Sequence, residues 1–301
     1  MEMFEVWFLY AFSSVMISGF TTIIDKVMLG KRLSSFSYFV AYVPPALAFS
    51  ISVLLFFPTN AFSIPSLIAF AAGLMSSGGF FLYAISIRKE EASRISALTS
   101  LYPVFVAVLA IFLVNEIFPA KSYIGISLMI LGAALISYKR NNVKKIIPIS
   151  LILLLIATNF AYSIDQVLSK ISLDAISFWP FLMMFMFGRF VPVVPGFAIN
   201  SARRKLFSEI KELKRNFAFA LAFASISWTV TIILFFYAAS LGPITLVSAI
   251  NITSPFFTLV FATLLSKHFP KILKEEIDRK TLALKSFAVL LICVGTYLIT
   301  T

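Results

Sequence analysis

Residues 20–28 read FTTIIDKVM and residues 160–168 read FAYSIDQVL, so that Phe20, Ile24, Asp25 and Val27 recur 140 positions later as Phe160, Ile164, Asp165 and Val167. Each copy lies near one end of an apolar block of the length that crosses a bilayer, about 20 residues. The correspondence continues outward in the same order. Leu82-Tyr83-Ala84 is answered by Phe236-Tyr237-Ala238, and Ser96-Ala97-Leu98 followed by Pro103 is answered by Ser248-Ala249-Ile250 followed by Pro255. Gly125 and Gly132, seven residues apart, have Ala288 and Gly295 as counterparts. Ordered internal similarity of this kind is the mark of a duplicated architecture.

Composition sets the solvent. Of 301 residues, 60% are hydrophobic and 13% charged, and the mean hydropathy is +0.98, whereas soluble domains run near 45–50% and 25%. The apolar residues fall into ten blocks, about 4–29, 34–57, 64–87, 93–114, 120–138, 146–169, 175–199, 216–239, 243–265 and 281–300. The first lacks the basic flank of a signal peptide and reads as a retained span. The sequence therefore predicts an all-α integral membrane protein of ten transmembrane helices. Its repeats are 1–140 (helices 1–5) and 141–301 (helices 6–10). Five spans per unit is an odd number, so the second unit enters the membrane inverted, a 5+5 arrangement that secondary transporters use to expose one central site to either side.

Of the 25 Lys and Arg, 22 lie in or beside the loops after helices 1, 3, 5, 7 and 9, while the opposite loops hold only Lys121 and Lys170. The positive-inside rule makes the basic side cytoplasmic and puts both termini outside a plasma membrane. The net charge of +12 is thus an orientation signal, and no nucleic-acid partner is expected. Residues 203–215, RRKLFSEIKELKR, place Leu206, Phe207, Ile210 and Leu213 at helical spacing among basic residues. That segment reads as a helix on the leaflet surface or as a solvated linker. One cysteine, Cys293, and one histidine, His268, make no disulfide or ordinary zinc site, and no metal or cofactor is expected. No phosphate-binding GxxxxGK[ST] occurs.

The run FLYAISIRKEEASRISALTSLYPVFVAVLAIFLVNE, residues 81–116, and its echo FFYAASLGPITLVSAINITSPFFTLVFATLL from Phe235 resemble the EamA-type branch of the drug/metabolite transporter superfamily. Gly19 and Lys26 in helix 1, Arg189-Phe190 in helix 7, and Gly125 with Gly132 fit the same pattern. The resemblance implies a ten-helix transporter of small metabolites, amino acids or related compounds, most often exporting them. Members more often keep both termini in the cytoplasm, which departs from the charge distribution here.

An intramembrane charge is costly, about 2.5–3.5 kcal/mol on insertion scales, and so has a partner or a task. Arg189, near the middle of helix 7, either binds an anionic substrate group bidentately or pairs with helix-end carbonyls or a buried carboxylate. Thr99, Asn159, Trp228 and Asn251 share its depth and form the candidate substrate site with it. Pro103, Pro192, Pro195 and Pro255 interrupt their helices, either as plain kinks or where backbone lines a cavity. Asp25 and Tyr83 toward one face, and Asp165 and Tyr237 toward the other, are candidates for gates or proton coupling, or else ordinary interfacial residues. The stripes of helices 5 and 10 suit close packing within the bundle or a homodimer. Glu116 and Lys121 are read as caps of an outer loop.

The expectation is a secondary transporter of a small polar or amphipathic metabolite. A lipid scramblase or channel would instead need a continuous polar groove. A membrane-embedded enzyme would need a nucleophile with its base, or a metal cluster.

Overall fold

A computed structural model describes residues 2–31, 33–56, 63–89, 95, 98–99, 101–136, 148–266 and 279–300. Among these the chain is helical almost throughout and has no strand. In a bilayer each backbone N–H and C=O must be satisfied within its own segment, and a helix does this unaided. The chain is an all-α membrane protein. Six helical stretches are long and apolar enough to cross: Val6–Asp25, Ser35–Phe56, Ile64–Ser86, Ile149–Leu173, Phe178–Ala198 and Arg215–Leu241. Four shorter apolar ones join them: Tyr102–Leu113, Ala120–Leu135, Ile244–Thr258 and Phe287–Ile299. The basic loops at 137–147 and 267–278, and the side chain of Lys26, lie outside what the structure describes.

The elements are α1 (Glu2–Lys31), α2 (Ser35–Ala41), α3 (Val43–Phe56), α4 (Ile64–Lys89), α5 (Tyr102–Leu113), α6 (Ala120–Ile136), α7 (Ile149–Leu173), α8 (Phe178–Phe190), α9 (Val194–Ala198), α10 (Asn200–Glu212), α11 (Arg215–Leu241), α12 (Ile244–Ile250), α13 (Ser254–Ser266) and α14 (Arg279–Thr300). The prolines do more than kink. Pro103 lies in the first turn of α5, and Pro255 is the second residue of α13, after a 3-10 turn over Asn251–Thr253. Proline has no N–H for the carbonyl four residues back. The carbonyls four residues before these prolines are those of Thr99 and Asn251, and that of Asn251 accepts the Ser254 N–H. Pro192 and Pro195 break helix 7 in the same manner, into α8, a 3-10 turn over Val191–Val193, and α9.

Packing follows two recurrent themes. α1 lies against α11 and α13, α7 against α4 and α5, and α6 against α14. α8 is buried along Phe181–Met186, which agrees with a helix apolar on every side, and it contacts α3 and α4. Large apolar side chains such as Phe112, 77% exposed, face outward, as they can where the surrounding solvent is lipid. Two crossings depend on absent side chains. A Cβ on Gly125 would meet the Gly295 carbonyl oxygen at 2.7 Å, so the small residues of α6 and α14 face each other inside one chain. Gly73 of α4 and Gly188 of α8 are pressed against the carbonyls of Phe185 and Phe70 respectively. Small residues let backbones approach this closely.

Candidate functional site

The Gly73–Gly188 crossing brings Arg189 against the polar face of α4. Arg189 Nη1 donates to Ser76 Oγ at 2.9 Å, and Ser77 Oγ donates to the Arg189 carbonyl at 2.8 Å. Its guanidinium lies 6.0 Å from the centre of the Phe80 ring. Asp165 on α7 interacts electrostatically with Arg189, and Ser76 is in reach of both. Arg189 therefore has a protein partner in Ser76, while the same residue lines a cavity.

Asp25 has a different environment. Tyr42 donates its hydroxyl to Asp25 Oδ1 at 2.6 Å, and Tyr38 donates to the Tyr42 hydroxyl at 2.8 Å. Tyr38 is on α2 and Tyr42 ends it, four residues apart and therefore on one face. Asp25 and Asp165 are each 4% exposed, which puts both inside the protein and not in a headgroup layer.

These groups converge on one cavity of about 200 Å³. Of the residues singled out from sequence, Asp25, Tyr83, Thr99, Asp165, Arg189, Trp228 and Asn251 line it. Thr99 and Asn251 stand at the two helix breaks, and across them Tyr102 donates its hydroxyl to the Ser248 carbonyl at 3.5 Å. The walls are mixed. Phe80, Phe235 and Phe236 supply apolar surface, while Asp165 Oδ1, Gln166 Oε1, Trp228 Nε1 and Asn251 Nδ2 have no hydrogen-bond partner among the described residues. A few polar groups set into an aromatic lining is the usual make-up of a small-molecule site.

Two singled-out residues are elsewhere. Asn159 Nδ2 donates to the Leu98 carbonyl at 2.8 Å, tying α7 to the break ahead of α5. Tyr237 packs its ring on Tyr10 and Phe178, at 4.7 and 5.2 Å. Both pack on protein and neither lines the cavity. Conversely, Tyr38, Tyr42, Ser76 and Gln166 escape sequence reasoning. In the sequence Tyr38 and Tyr42 show only as tyrosines four residues apart within an apolar block. No group of three or more His, Cys, Asp and Glu that would hold a metal occurs among the described residues.

The two ends of the bundle are held differently. At one end Glu116 accepts from the Ile244 and Thr245 N–H groups at 2.8 and 3.0 Å. It caps the N-terminus of α12, where a negative charge is favoured. Lys170 Nζ donates to the Ala239 and Gly242 carbonyls at 3.1 and 3.4 Å, at the C-terminus of α11. At the other end Glu209 of α10 accepts from the Ser34 N–H at 2.8 Å and from its hydroxyl at 2.9 Å.

Residues 5–138 match the EamA-like transporter family, part of the drug/metabolite transporter superfamily. No curated protein matches the chain. A solved structure presented only as the crystal structure of a protein shares the fold, with a TM-score of 0.66 over 96% of this chain and 94% of that one, at 14% identity.

Proposed function

From a membrane protein whose first half carries the EamA-like transporter unit, we propose a secondary transporter that moves a small polar or amphipathic metabolite, an amino acid or related compound, across the plasma membrane. It works by alternating access, in the direction of export. Residues 1–140 and 141–301 are the two five-helix units, the second inverted. The observation that carries this reading is the cavity itself. Asp25, Tyr83 and Thr99 reach it from the first unit and Asp165, Arg189, Trp228 and Asn251 from the second. Each unit also brings a helix that breaks at the cavity wall. Discontinuous helices around a site between repeats are a transporter feature, since unwound backbone is tolerated only where it lines a cavity or packs on protein.

The packing supports the inversion. α1 rests on α11 and α13 as α7 rests on α4 and α5, the same relation with the units exchanged. Rocking one unit against the other then opens the site to alternate sides. Thr99, Arg189, Trp228 and Asn251 line the substrate site, and Asp25, Asp165 and Tyr83, which line it too, carry coupling and substrate-linked gating.

The test uses a single reporter cysteine at the cavity wall, Thr231→Cys, with Cys293 replaced by Ser. In sealed vesicles of either orientation a membrane-impermeant thiol reagent should label it from both sides. Proteoliposomes should show flux of at least one member of a metabolite panel. Labelling from one side only under every condition would end the alternating-access reading.

A further inference from the structure

We infer that Asp25 is the counter-ion for a cationic group of the transported molecule, and that the substrate is a small monoamine with an apolar or aromatic body. This rests on the reading of the cavity as the transport site and names the chemistry it selects. Among the described residues, three charged side chains line the cavity: Asp25, Asp165 and Arg189. Two carboxylates against one guanidinium leave one negative charge in excess when all are ionised.

The two carboxylates differ in their company. Asp165 lies on the Arg189 side of the cavity, where Arg189 Nη1 donates to Ser76 Oγ at 2.9 Å. Among the described residues the hydrogen-bond partners of Asp25 are phenols, the Tyr42 hydroxyl at 2.6 Å backed by that of Tyr38 at 2.8 Å. A donated hydrogen bond eases a buried carboxylate but does not cancel its charge, and a buried charge without a counter-charge is expensive. A ligand cation removes that cost, so binding selects it.

The surroundings favour an amine over other charge types. Phe80, Tyr83 and Trp228 line the cavity with Asp25, and the Phe80 ring stacks 6.5 Å from Tyr83 and lies 6.1 Å from Trp228. Aromatic faces attract cations and accept an apolar body. An anion would meet two carboxylates and one guanidinium that already gives a hydrogen bond to Ser76. A zwitterion would need both Asp25 and a free arginine. A cavity of about 200 Å³ suits a compact monoamine.

The experiment uses the full chain in lipid nanodiscs and four probes of one shape: 2-phenylethylamine, 2-phenylethanol, 3-phenylpropionate and phenylalanine. Affinities are measured by calorimetry. The amine should bind at least tenfold more tightly than the other three. Asp25→Asn should abolish that preference while leaving affinity for the neutral alcohol within about twofold, which also shows that the variant is folded. Asp25→Glu should keep the preference. Equal or tighter binding of the acid or of phenylalanine would overturn the inference, as would a preference that survives in Asp25→Asn. Failure of the amine to bind a chain whose Thr231→Cys reporter is labelled from both sides would overturn it too, and leave transport standing. Labelling from one side alone overturns the transport reading instead.

Discussion

Arg189 is legible from sequence as a charge that needs an explanation, but its partners are not. Serines carry no charge or strong pattern, and Ser76 becomes a ligand of Arg189 only because Gly73 and Gly188 let two helices touch. Tyr38 and Tyr42 are hidden for a similar reason. Tyrosine inside a membrane block reads as an interfacial anchor, and only the packing of α2 over α1 and α4 turns these two inward onto Asp25. Asn159 and Tyr237 are candidates by depth, a one-dimensional measure. Depth leaves out the azimuth around the helix, and azimuth directs one to a neighbouring carbonyl and the other to a ring cluster. The nearness of Arg189 and Asp165 makes a testable prediction. Removing one of two buried opposite charges leaves the other less compensated, whereas removing both leaves none. Arg189→Ala should therefore lower the melting temperature of the detergent-solubilised protein strongly. The double variant Arg189→Ala/Asp165→Asn should recover part of the loss, a coupling that a double-mutant cycle reads directly. Additive losses would mean that the two charges do not stabilise one another.

At the scale of elements, helix positions were readable from apolar block length, and the places where helices stop at prolines were readable as interruptions. What the breaks do, in setting Thr99 and Asn251 on the cavity wall, required their neighbours. The amphipathic segment behaves likewise. Helical spacing predicts one apolar stripe, but α10 divides it. Leu206 is 2% exposed against the protein, while Phe207, 62% exposed, and Ile210 face outward beside Arg203 and Lys211. That split suits a helix held on one side by the bundle and on the other by lipid headgroups. Its tether is Glu209. Partial burial works to raise this carboxyl, but hydrogen bonds from Ser37, the Ser34 N–H and the Ser34 hydroxyl, with Lys205 nearby, outweigh it and hold it below the ordinary glutamate range. A carboxyl depressed on docking contributes stability that is present above its free value, ordinarily about 4.3, and is lost as the pH falls through the docked one. Hydrogen exchange of the α10 amides, corrected for the intrinsic effect of pH, should therefore rise only on acidification below that range. Glu209→Gln should show at neutral pH the faster exchange that the wild type shows in acid. Unchanged exchange in this variant would mean that Leu206 alone holds the helix.

At the scale of the whole molecule, the two ends of the bundle can be told apart without reference to a membrane. Ser34 meets Glu209 at one end. At the other, Glu116 caps α12, Lys170 holds the end of α11, and Trp7 packs on Gly242. The N-terminal residues thus share an end with the loops at 114–120, 174–177 and 241–244. The C-terminus joins them, since Ile299 lies beside Gly125 near the start of α6. Contacts settle which loops travel together, and charge is then what orients the pair of ends. The end with Ser34 and α10 carries Arg203, Arg204, Lys205, Lys211, Lys214 and Arg215, whereas Lys121 and Lys170 are the basic residues of the other end's loops. Because Lys and Arg near span ends are retained in the cytoplasm, both termini should lie outside. A reporter that is active only in the cytoplasm, fused to either terminus, should stay silent, and one that matures only outside should be active at both. The two fusions must agree, because the contacts put the termini at one end. Disagreement between them would break the packing argument, and joint cytoplasmic activity would leave the packing intact and show that 22 basic residues of 25 had failed to set the orientation.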